Sequence, residues 1–91
     1  MGKSELIGRM AQSAGITREQ ARIALEALTD HIGHSLKEGR DVRIVGFGSF
    51  SSTERSAGKA RNPRTGEVIE RPASRSVRFR TGEGLKSLLN G

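Results

Sequence analysis

Eight cationic side chains crowd one stretch of the chain. Arg55, Lys59, Arg61, Arg64, Arg71, Arg75, Arg78 and Arg80 fall within residues 51–80, against only Glu54, Glu67 and Glu70. Such a run is suited to neutralising phosphates and releasing their counterions. Other chemistry is poorly served. There is no cysteine, which removes thiol catalysis, Cys-ligated zinc and disulfides. His31 and His34 stand three apart without the further ligands that a metal site needs. Neither lies near a distinctive serine that would suggest a nucleophile–base pair, and Gly46-Phe47-Gly48 lacks the rest of a phosphate loop. The residues therefore imply a binding protein rather than an enzyme, with no metal and no cofactor.

The elements that must position these cations can be read from the pattern. Asn62-Pro63-Arg64-Thr65-Gly66 is predicted to be a hairpin turn. Asn suits its first position, Pro presets φ at the next, and Gly supplies a positive φ for a bulge. The flanks, 51–61 and 67–80, are longer than ordinary strands and carry few apolar residues. Side chains on a strand alternate faces, which separates odd from even positions. The odd positions hold Arg55, Lys59 and Arg61 on the outgoing strand, and Arg71 and Arg75 on the return. An isolated polar hairpin is marginal in water, so this ribbon is expected to lie along a nucleic-acid groove and to become ordered there.

The rest of the chain supplies the body. Leu6, Ile7, Met10, Ala11 and Ala14 recur at helical spacing, with Ser4 as the expected cap and Gly15 as the stop. Thr17-Arg18-Glu19-Gln20 reads as a capping box that opens a second helix. That helix is expected to bury Ala21, Ala24, Leu25, Leu28, Ile32 and Leu36 and to end at Gly39. Its other side presents Arg18, Glu19, Arg22, Glu26, Asp30 and Glu38, too acidic a surface to read DNA as a recognition helix. Asp41–Val45 alternates as a half-buried strand, and Gly46–Phe50 is expected to continue it through a bulge or close approach. Phe47, Phe50 and Phe79 are the only aromatic residues, so the strands holding 50 and 79 are expected to pair or share a face. Thr81 is the expected cap of a last short helix with an apolar stripe of Leu85, Leu88 and Leu89.

Size and charge bound the partners. The 91 residues form one domain at most and carry a net charge of +6, which favours a polyanion. Leu, Ile, Val and Phe make up 20 residues, near the lower limit for an independent core. A second copy is therefore expected to complete it, and the core is expected to exclude most of 51–80. No apolar run approaches a membrane span, and the ribbon lacks the apolar face of an interfacial binder.

The segments Gly46-Phe47-Gly48-Ser49-Phe50, Arg61-Asn62-Pro63-Arg64-Thr65-Gly66-Glu67, Pro72-Ala73, Phe79-Arg80-Thr81-Gly82 and Leu85-Lys86 resemble the HU/IHF family of bacterial histone-like proteins over the whole chain. The resemblance implies an α+β fold: a helical hairpin base, a three-stranded antiparallel sheet with a long β-ribbon arm, and a short C-terminal helix. It implies an intertwined dimer whose body (1–52 and 74–91) supports arms (53–73) that embrace DNA in the minor groove. Pro63 would wedge between base pairs, flanked by Arg61 and Asn62. Arg55, Lys59, Arg61 and Arg64 match or extend the family's cationic arm positions. Arg75, Arg80 and Lys86 match basic positions further on. Several residues depart from the pattern: Thr53 and Gly58 where arginine is common, Ala60 for glycine, Arg71 for an apolar residue, Arg78 as an added charge, and Glu83 for lysine.

The expected function is non-catalytic bending and compaction of double-stranded DNA by a homodimer. Little base readout is expected, with preference for bent, nicked or flexible sites and a cytoplasmic, nucleoid-associated location. The alternatives are one subunit of a site-specific heterodimer of the integration-host-factor type, or an RNA-binding module.

Overall fold

A computed structural model describes residues 1–91 as two compact units, 1–34 and 35–91. The first holds α1 (Lys3–Ala14) and most of α2 (Arg18–Lys37). Gly15 ends α1 in the left-handed conformation, as expected. The cap of α1 is Gly2, without any side-chain bond, so Ser4 already lies inside the helix. Its hydroxyl and carbonyl instead accept from Arg18, each at 3.3 Å. The capping box of α2 is present and reciprocal. Gln20 N–H donates to Thr17 Oγ1 at 3.0 Å, and Thr17 N–H donates to Gln20 Oε1 at 3.0 Å. Ile7, Ala11 and Ala21 form the buried cluster of this unit, with Met10 and Leu25 packed against it. Of the six apolar residues expected to be buried along α2, only Ala21 and Leu36 are; Ala24 and Leu28 face solvent.

In the second unit, β1 (Val42–Ile44), β2 (Gly48–Arg55) and β5 (Ser74–Thr81) form a three-stranded antiparallel sheet in the order β1-β2-β5. A separate two-stranded ribbon pairs β3 (Gly58–Arg61) with β4 (Val68–Arg71), and α3 (Glu83–Asn90) closes the chain. Contrary to the expected continuation of the strand through Gly46–Phe50, Val45-Gly46-Phe47 breaks it. It turns the chain, with Phe47 N–H donating to Ile44 O at 3.0 Å.

This turn meets the start of α3 backbone to backbone. Gly82 N–H donates to Phe47 O and Leu85 N–H to Gly46 O, both at 2.8 Å. These carbonyls do part of the work expected of a Thr81 cap; the cap is Gly82, and Thr81 ends β5. A Cβ on Gly82 would lie 2.9 Å from the Phe47 carbonyl carbon and 3.0 Å from Gly48 N, so only glycine fits without displacement.

Phe50 pairs directly with Phe79 across β2 and β5. Their ring centroids are 4.9 Å apart, and Phe47 lies 5.6 Å from Phe79. The cluster is open on one side: Phe47 is 45% and Phe79 41% exposed. The three phenylalanines thus gather as expected, but a single chain does not bury them. Val77, Leu88 and Leu89 are also exposed.

Candidate nucleic-acid interface

The register of the sheet sorts its side chains onto two faces. Directly opposed residues of an antiparallel pair share a face, and successive residues alternate. Val42 pairs with Phe50 and Ile44 with Gly48, while Arg43 pairs with Ser49. Across β2 and β5, Ser49 meets Arg80, Ser51 meets Arg78, Thr53 meets Ser76, and Arg55 meets Ser74. One face therefore carries Arg43, Arg55, Arg78 and Arg80 interleaved with serines and Thr53. The other carries Val42, Ile44, Phe50, Phe79 and Val77. On the cationic face Thr53 Oγ1 and Ser76 Oγ lie 3.1 Å apart, and Arg43, Ser49, Ser51, Arg78 and Arg80 line an open hollow. A surface of guanidinium groups and hydroxyls offers donors suited to a row of phosphates.

Arg75 is not part of that surface. Each odd-numbered residue is paired with an even-numbered one, so the odd positions of the two strands fall on opposite faces. Arg75 shares its face with Glu54 and lies 3.7 Å from that carboxylate. The grouping of odd positions by strand thus needs correction once the register is known. Arg43, absent from the residues singled out above, joins the cationic face. The alternation in Val42-Arg43-Ile44 was the signal for it, since two flanking apolar residues send the middle side chain to the opposite side.

Beyond Arg55 and Ser74 the ladder stops at Ser56-Ala57 and Pro72-Ala73, then resumes as β3 and β4 with the same offset. Proline has no N–H to give to a ladder, which accounts for the gap on the return strand. In the distal ribbon Lys59 meets Glu70 and Arg61 meets Val68; Gly58 meets Arg71 and Ala60 meets Ile69. Lys59 and Arg61 thus share one face, and Arg71 the other, across from a glycine.

At the tip, Asn62 N–H donates to Glu67 O and Gly66 N–H to Asn62 O, each at 2.8 Å. Asn62 Oδ1 accepts the Arg64 N–H at 2.9 Å. Gly66 has φ of 73°, the positive value the turn was expected to require. Pro63 and Arg64 are exposed within this loop. Lys86 lies on α3, exposed and outside the sheet.

The helical hairpin carries a different charge pattern. Arg22 donates to Glu26 at 3.0 Å and also to Glu19, while Lys3 reaches Glu26 at 3.3 Å. The hydrogen bonds from Arg22 hold both carboxyls below their ordinary range. These side chains are occupied with one another.

A family profile described as "Bacterial DNA-binding protein" matches residues 1–90. The chain belongs to that bacterial DNA-binding family. It is 57% identical over 88 residues to the DNA-binding protein HU of Caulobacter vibrioides, covering 97% of this chain and 96% of the relative. HU of Geobacillus stearothermophilus is 43% identical over 86 residues, covering 94% and 96%. The HU–DNA cocrystal structure from Anabaena superposes with a TM-score of 0.81 at 39% identity, covering 98% of this chain and 97% of that one. HU from Thermotoga maritima gives 0.69 at 28% identity, covering 98% of each chain. The fold is that of HU structures, and DNA is the partner. No helix is long and apolar enough to cross a membrane.

Proposed function

We propose that this chain is a homodimeric, nucleoid-associated protein of the cytoplasm that bends and compacts duplex DNA largely without regard to sequence. The observation that carries this reading is the two-sided sheet. Its cationic face, with Arg43, Arg55, Arg78 and Arg80, suits the flank of a duplex, and its apolar face suits a second copy. The body comprises 1–52 and 74–91 and the arm 53–73. The boundary lies just beyond the point where β2 has passed β1 and pairs with β5 alone.

The ribbon follows the minor groove with Lys59, Arg61 and Arg71 along it, and Pro63 at its tip wedges into a base step. Pro63 suits this because its ring is apolar and compact and brings no backbone N–H to leave unsatisfied. Unstacking a step costs a few kcal/mol, recovered as the bent duplex meets Arg78, Arg80 and Lys86 on the flanks. DNA that is already bent, nicked or flexible lowers that cost and is bound preferentially.

The test separates bending from binding. On intact linear DNA, Pro63→Ala is expected to reduce the bend angle read by end-to-end energy transfer, while binding to nicked DNA persists through the remaining cations. Unchanged bending in a folded Pro63→Ala protein would leave Pro63 as a turn residue and overturn the wedge.

A further inference from the structure

The turn at the tip consumes most of its own polar groups. Asn62 Oδ1 is taken by the Arg64 N–H at 2.9 Å, and Thr65 Oγ1 by the Glu67 N–H at 3.2 Å. The Asn62 backbone N–H and carbonyl are both engaged, and Pro63 and Gly66 bring no polar side chain. Arg64 differs. Its backbone is fixed by Asn62, yet its guanidinium has no partner. The ion pairs of the chain use Lys3, Arg9, Arg22, Arg40 and Arg75 instead. Arg61 has a different setting. It sits on the last rung of the ladder opposite Val68, below the loop.

We propose that Arg64 is the base-reading side chain of the tip and selects A·T over G·C pairs beside the kink, with Asn62 as its positioning residue. This rests on the minor-groove wedge proposed above, since Arg64 follows Pro63 directly and travels with it to the groove floor. There A·T pairs show only acceptors, adenine N3 and thymine O2, whereas G·C adds the guanine N2 amino donor. Guanidinium has five donors and no acceptor, so that amino group faces it with like polarity. The narrower groove of A·T runs also deepens the negative potential that draws arginine in. Arg61, held at the ladder, stays with the phosphates and adds affinity without selectivity.

The experiment uses duplexes with a central nick, which fixes the kink, flanked by A·T, G·C or inosine·cytosine pairs. Inosine lacks the guanine amino group and otherwise leaves the major-groove edge of G·C. The native protein is expected to bind the A·T and inosine duplexes about fivefold more tightly than the G·C duplex, the low end of single-pair discrimination. Arg64→Gln should lose most of this difference, chiefly by binding the A·T and inosine duplexes less tightly. Arg61→Ala should weaken binding to all three alike. Undiminished preference in Arg64→Gln would assign the selectivity to DNA deformability and overturn the inference. Normal bending of intact linear DNA by the native protein, with no preference for inosine over guanine in the nicked duplexes, would overturn it too and leave the wedge intact. Absence of bending of intact linear DNA by the native protein would remove the wedge and this inference together.

Discussion

Phe79 links the open aromatic cluster to self-association, and its replacement gives a two-part expectation. Phe79 packs at a tilt against Phe47 and Phe50 within one chain and is still 41% exposed. On a side chain of about 200 Å², roughly 80 Å² then remains for a second copy to cover. At about 25 cal/mol per Å² that area is worth ~2 kcal/mol per chain, or ~4 kcal/mol per dimer. Phe79→Ala should therefore raise the dimer dissociation constant about a thousandfold. The part already packed within the chain adds a loss of ~2–3 kcal/mol in the stability of each protomer, a share of the usual cost of emptying an aromatic site. Sedimentation equilibrium over a range of protein concentrations reads the first quantity. Thermal midpoints, which rise with concentration when folding and association are linked, read the second. A native protein that sediments as a monomer with a concentration-independent midpoint would refute the reasoning. So would a Phe79→Ala protein that is destabilised but dimerises as tightly as before.

Two further outcomes test the faces and the clasp. Arg78→Ala should reduce the salt dependence of DNA binding by about one unit of slope per chain, whereas Arg75→Ala, on the other face with Glu54, should leave the slope unchanged and act on stability; salt titrations of both proteins distinguish them. Gly82→Ala should cost ~1–3 kcal/mol in thermal denaturation because its Cβ meets the Phe47 and Gly48 backbones.

The local signals that held are those whose partners lie a few residues away. The Thr17–Gln20 capping box and the turn from Asn62 to Gly66 are complete in the sequence, and both form as read. The pairing of Phe50 with Phe79 followed from there being so few large apolar residues to gather. The failures are non-local. Ser4 and Thr81 look like caps, but Ser4 bonds Arg18 and the start of α3 is met by the Gly46 and Phe47 carbonyls, which no neighbouring residue announces. The face of each arginine depended on register. That was within reach, because a turn closed between Asn62 and Glu67 already fixes which residues oppose one another. The burial expected of Ala24 and Leu28 failed for another reason: helical periodicity marks the face a helix can bury, and a single chain leaves part of that face uncovered.

The common offset on both sides of the Ser56-Ala57 and Pro72-Ala73 gap constrains how this chain can change over generations. Arg55 with Ser74 and Gly58 with Arg71 obey one pairing rule although nothing pairs between them. One residue added to either strand near the gap would turn every side chain beyond it to the other side. Lys59 and Arg61 would exchange sides with their neighbours, and the loop from Asn62 to Gly66 could no longer close on the same rung. Arms of other lengths are thus reachable only by matched changes of two residues in each strand. Single substitutions along the ribbon carry no such restriction. Sequence drift at fixed length is the cheap route by which such an arm diversifies.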